Sequence, residues 1–285
     1  MTFAYKRFTL CKVSMAALLA MSTAAAQDRL GGPRDAPNPP NNPHSSTCDT
    51  LPSYSALKSA LTAAVAAETT GLNMQMWGTI VDRDGIVCAV AFTGTNRAAQ
   101  WPGSRVISAQ KANTANSFSL DSSSNSNGSG QPNGLALSTA NLYSAVQPGG
   151  SLFGLQESNP VNTSVAYATP SSLYGTQQDP MVGGKIGGVN VFGGGLALYN
   201  GSKQVVGAIG VSGDTSCSDH NIAWRTRHAL NLDHLAGVGG VSGDTARPDN
   251  IIYDISATSG KSAGGYGHPT CSPTGGDPTT LPPVQ

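Results

Sequence analysis

The residues of this chain best suited to chemistry are its histidines and cysteines. His220, Trp224 and His228 recur at successive i+4 positions, with Arg225 and Arg227 between them. On a helix such positions share one face broadly. Imidazole is a common axial ligand of haem iron, and an aromatic ring with arginines suits a macrocycle and its propionates. The same spacing also fits an ordinary amphipathic helix whose histidines are solvated or hydrogen-bonded. Cys217 and His220 have C-x-x-H spacing, which begins a zinc or copper site only where the thiolate is free. Cys48, Cys88, Cys217 and Cys271 form an even set without a C-x-x-C pair, and two structural disulfides are the expectation. Four cysteines allow three pairings, and spacing alone does not choose.

Glycine offers a second kind of site. Gly193, Gly194 and Gly195, with Gly207, Gly210 and Gly213, put bare backbone on two β-prone runs. That permits close approach of a flat ligand or another subunit, or it serves bulges and turns. Ser212 lies in G-V-S-G, which is not a nucleophile elbow. Asp82 and Asp84, or Asp214 and Asp219, lack the order of an EF-hand. No catalytic constellation emerges from these residues.

Positioning them falls to a chain of 285 residues with 16 basic and 16 acidic groups. Charged residues are 11% of the whole, under half of the roughly 25% usual for a soluble domain. That leaves no basic field for phosphates, so nucleic acid is not an expected partner. It also excludes a coiled coil and charge-driven disorder. Residues 1–26 carry Lys6, Arg7 and Lys12, then an apolar stretch, then Ala24-Ala25-Ala26, the plan of a secretory signal peptide. A periplasmic or secreted product follows, with no membrane span elsewhere.

Residues 27–50 read as a Pro/Asn-rich linker. Ser53 is a plausible N-cap for a helix that Gly71 ends. Met74 to Val81 and Ile86 to Phe92, around Asp82-Arg83-Asp84-Gly85, read as a β-hairpin. Ser104 to Leu120 has helical spacing, 121–134 is a polar loop, Ser138 to Val146 a short helix, and 147–188 loop. Val189 to Tyr199 and Gln204 to Val211 make a second hairpin around Asn200-Gly201, and Ser218 to Leu230 a last helix. "GVSGDT" occurs at 210–215 and again at 240–245. Residues 236–285 form a Gly-rich tail with Cys271 and one strand candidate, Ile251 to Ile255. Two hairpins with segregated helices make an α+β layered domain with an antiparallel sheet.

Three segments resemble the GlcG/HbpS-like haem-binding family: "WGTIVDRDGIVCAVAF", "SRVISAQKANTANSF" and "VFGGGLALYNGSKQVVGAIGVSGDTSCSDHNIA". The resemblance spans roughly residues 53–232 within a domain at 51–235. It implies a profilin-like antiparallel sheet with helices on its faces, homo-oligomers, and binding of haem or a related tetrapyrrole. Lys111 falls at that family's recurrent lysine. It is expected either to bind a carboxylate or propionate, or to snorkel at the surface.

On this reading Lys111, Gly194, Gly195, His220, Trp224 and His228 are the cofactor-binding candidates, with His220 the metal ligand. The expected function is an exported haem carrier or sensor without turnover. The alternatives are an accessory enzyme acting on a small organic acid or oxygen species, and a structural oligomer with no ligand. If the second hairpin pairs with the first as the resemblance implies, Cys48 and Cys88 share one end of the sheet and Cys217 the other. That gives Cys48–Cys88 and Cys217–Cys271.

Overall fold

The computed structural model describes residues 47–124, 133–272 and 275–285. The leader, nearly all of the linker and most of the polar 121–134 loop lie outside them.

Four strands form one antiparallel sheet: β1 (Trp77–Asp82), β2 (Val87–Phe92), β3 (Gly195–Tyr199) and β4 (Val205–Ser212), in the order β2-β1-β4-β3. Each hairpin pairs internally, and β1 joins them by pairing with β4, Trp77 opposite Ser212 and Asp82 opposite Gly207. Three long helices accompany the sheet: α1 (Tyr54–Ala67), α2 (Ser104–Phe118) and, after the single turns α3 (Leu155–Ser158) and α4 (Thr163–Ala166), α5 (Ser216–Ala229). Strand side chains are buried on both faces, so the sheet is the middle layer of three.

One face packs Ile80, Leu196, Leu198, Ile209 and Val211 against Leu57 and Leu61 of α1 and Ile222 and Trp224 of α5. The other packs Val81, Val87, Val90 and Ala208 against Ala109, Ala112 and Ala115 of α2 and against Met181 and Ile186. The alanines let α2 lie close to β4, and Gly210 completes the fit. A Cβ there would stand 2.5 Å from the Ala112 backbone nitrogen. This glycine serves helix packing instead of leaving a space for ligand.

Several boundaries differ from the sequence reading. Ser53 caps α1 as expected, accepting from the Ala56 N–H, but the helix stops at Ala67, ahead of Gly71. There the Glu68 carboxylate accepts the Thr69 and Thr70 N–H groups, ending the helix from its own side chain. β3 begins only at Gly195, because Gly194 has φ 115°. α5 starts two residues early, capped by Thr215. Ser138–Val146 is two 3-10 turns, and Ile251–Ile255 is not a strand; its pairing is a single bridge between Ile255 and Ser262. The two "GVSGDT" copies differ: the first ends β4 and enters α5, the second is a run of bends and turns.

The tail is part of the folded unit. Leu281 joins the α1/α5 core, and the Gln285 N–H donates to the Asp233 carbonyl. Both expected disulfides form, Cys48–Cys88 with Cα atoms 5.4 Å apart and Cys217–Cys271 with 6.0 Å. Among the described residues no helix is long and apolar enough to cross a membrane.

Candidate functional site

α5 carries most of the candidate residues. In its first turn Asp219 Oδ1 accepts the Gly213 and Asp214 N–H groups, an arrangement the helix N-terminus favours. Its Oδ2 accepts from Lys111 Nζ at 2.7 Å, and the same ammonium donates to the Val211 carbonyl at 3.0 Å. Lys111 is only 1% exposed, so it does not snorkel. The carboxylate it binds is the protein's own. Burial pulls the Lys111 ammonium below its ordinary range and pushes Asp219 up to about 6, while each charge resists the shift of the other. Gly194 and Gly195 make room for this pair. A Cβ at Gly194 would lie 3.0 Å from Asp219 Cβ and 3.3 Å from Lys111 Nζ; one at Gly195 would meet the Lys111 carbonyl at 2.5 Å. The structure therefore brings Lys111, Gly194 and Gly195 together, around an internal ion pair.

His220, one residue on, is fully buried. Its Nε2 lies 3.1 Å from Asn250 Oδ1 and 3.2 Å from the Ile251 nitrogen, whose N–H the same Asn250 oxygen accepts at 2.9 Å. Nδ1 has no partner among the described residues. Desolvation lowers this imidazole to about 4, so it is neutral across the physiological range. One turn later Trp224 Nε1 donates to the Pro282 carbonyl at 2.9 Å. Arg227 grips Asp249 with two bonds of 2.6 and 3.0 Å, both side chains wholly buried, and its guanidinium lies 4.6 Å from the Trp224 ring centre. The face that spacing offered to a macrocycle is thus taken by residues 249–251 and Pro282 of the tail.

His228, at the other end of α5, is placed differently. Its side chain is 39% exposed, and Nδ1 donates to Asp233 Oδ2 at 2.7 Å. Asp233 is itself buried. A carboxylate on Nδ1 fixes the tautomer that leaves the lone pair on Nε2, which is how metal-bound histidines are commonly supported. Nε2 has no partner among the described residues. The residues here fit a haem iron as axial ligand, whereas His220 fits one only with the tail displaced.

A model of the haem degrading HbpS-like proteins matches residues 53–227, the sheet and its three long helices. The chain belongs to the HbpS-like family. Two solved structures are similar over much of their length. The crystal structure of Klebsiella pneumoniae protein ORFY, of the DUF336 family, is 27% identical, covers 61% of this chain and 88% of its own, and has a TM-score of 0.38. The PduOC:heme complex is 21% identical, covers 64% and 96%, and has a TM-score of 0.41. No curated protein matches the sequence.

The HbpS-like domain also holds features that sequence reasoning missed. Arg105 and Asp179 form a buried pair beneath Tyr174, with the guanidinium 3.6 Å from the ring centre. Beside it runs an open groove of about 650 Å³, lined by Tyr54, Lys58, Phe92, Arg97 and Tyr174 among others. Asn250, which covers His220, lies thirty positions beyond it with no motif to announce the contact. The signal available was the scarcity of charge: an Asp or Arg in such a chain is more often kept for a buried partner.

Proposed function

We propose that this HbpS-like chain binds haem or a related tetrapyrrole at the C-terminal end of α5, with His228 Nε2 as the axial ligand. The observation that carries this is the His228–Asp233 contact, a half-exposed imidazole oriented through its other nitrogen by a buried carboxylate. The description of the family, haem degrading, supports the ligand class. Bound haem would supply a redox-active iron. The chain's own part is to hold the imidazole in one tautomer through its contact with Asp233.

The role is that of a carrier or sensor that does not consume the ligand. The leader-like residues 1–26 and two disulfides support an exported protein, since such bonds persist in oxidising compartments. Low charge and the family resemblance support a homo-oligomer.

Haem titration of the full chain tests the reading. The expected result is a Soret band that shifts and saturates at one haem per chain. A drift without saturation, as in nonspecific adsorption, would overturn it. Ascorbate in air then separates the roles: a lasting Soret band supports a carrier, whereas its decay with release of iron supports degradation.

A further inference from the structure

The opposite end of α5 carries a second cluster, unrelated to His228. Cys217 Sγ, Cys271 Sγ and a ring nitrogen of His268 all lie within 4.8 Å of one another. His268 Nδ1 donates to the Pro269 carbonyl at 2.7 Å, which leaves the Nε2 lone pair toward Ser216 Oγ at 3.1 Å. That hydroxyl is also 3.6 Å from Cys271 Sγ, so it borders both ligand types. The Cys217 N–H points at Cys271 Sγ at 3.2 Å, and the start of a long helix favours thiolate over thiol.

We infer that reduction of Cys217–Cys271 opens a site for a thiophilic cation of the zinc or copper(I) class, held by two thiolates and His268 Nε2. Two sulfurs and one imidazole are a donor set that selects such ions, and the backbone bond at Nδ1 is the support a ligating histidine needs. In an exported protein the reductant is a dithiol oxidoreductase, which gives its two electrons and two protons to this disulfide and itself becomes a disulfide. The cation then displaces the two thiol protons. Ser216 Oγ or water completes four ligands.

The other cysteine pair lacks this chemistry. Cys48 and Cys88 have Asp82 nearby, but that carboxylate already accepts the Asp84 and Ile86 N–H groups and the Thr47 hydroxyl.

The test uses the full chain, reduced by a thiol-free phosphine and checked by far-UV circular dichroism, with Co²⁺ as the probe. One Co²⁺ per chain with a thiolate charge-transfer band, displaced by Zn²⁺, is expected. His268→Ala should weaken binding at least tenfold, and the Cys48→Ser/Cys88→Ser double variant should retain the band. Three results would overturn the site: no band in the folded, reduced chain, His268→Ala titrating like the parent, or loss of fold on reduction that Zn²⁺ does not restore.

Discussion

The two ends of α5 hold the same residue type in opposite settings. Near its start His220 is sealed under Asn250 and Ile251, neutral, with one nitrogen unpartnered. Near its end His228 stands half-exposed on a buried carboxylate, with Nε2 unpartnered among the described residues. Eight positions of helix separate them, and the i+4 spacing treats them alike. What distinguishes them is the chain beyond the helix: Asp233 follows at once and supports His228, whereas 249–251 return over the first turns. Helical periodicity selects a face, and tertiary cover decides what the face can do.

The covered face of α5 is held by buried charge along its whole length, so its largest vulnerability is Arg227, in the last turn. Arg227→Ala leaves Asp249 buried without its partner and should cost about 3–5 kcal/mol in chemical denaturation. Haem affinity per folded chain should change little, because Arg227 bonds Asp249 whereas its neighbour His228 keeps a separate partner in Asp233; a loss in proportion to stability would join the two contacts. Cys271→Ser comes next. It unties the tail from α5 and should lower stability by about 2–4 kcal/mol, read as a fall in the urea midpoint.

Acid should then find His220. Its native pKa lies below the unfolded value of about 6.5, so the unfolded chain binds the proton first and stability falls as pH drops from there toward 4. Between pH 7 and 5 the loss should be roughly 2 kcal/mol, measured as the difference between the parent and His220→Gln. That subtraction matters because Asp219, raised to about 6, contributes with the opposite sign over the overlapping range. A difference independent of pH would mean that His220 is not sealed. The smallest effect belongs to the open end: Asp233→Asn should weaken haem binding about tenfold while leaving the iron ligated.

Much of the fold was legible because local patterns sufficed. The Asp82–Gly85 turn between two β-prone runs and Ser53 before an apolar-periodic helix each carry their own mechanism. The resemblance supplied the join between the hairpins, and from it the two disulfides followed. The site was less legible because its decisive partners are remote. Lys111 shows a cation in a low-charge helix, but Asp219 lies 108 positions away, and only the packing of α2 on β4 brings them together. The tail reads only as a Gly-rich segment tied down by Cys271, because it lacks periodicity. Yet Leu281 and Ile251 are buried in it one at a time, a pattern that no hydrophobic period reveals. His220 reads as the metal ligand for the same reason, since Asn250, which covers it, has no signature.

The central claim is that the open end of α5, and not the closed end, meets the iron. Haem titration of His228→Ala beside His220→Ala, each with its circular dichroism, tests it directly. The expected result is loss of the low-spin spectrum in His228→Ala with the fold intact, and a parent-like spectrum in folded His220→Ala. A parent-like spectrum in His228→Ala would contradict the account and turn attention to the groove lined by Lys58, Arg97 and Tyr174.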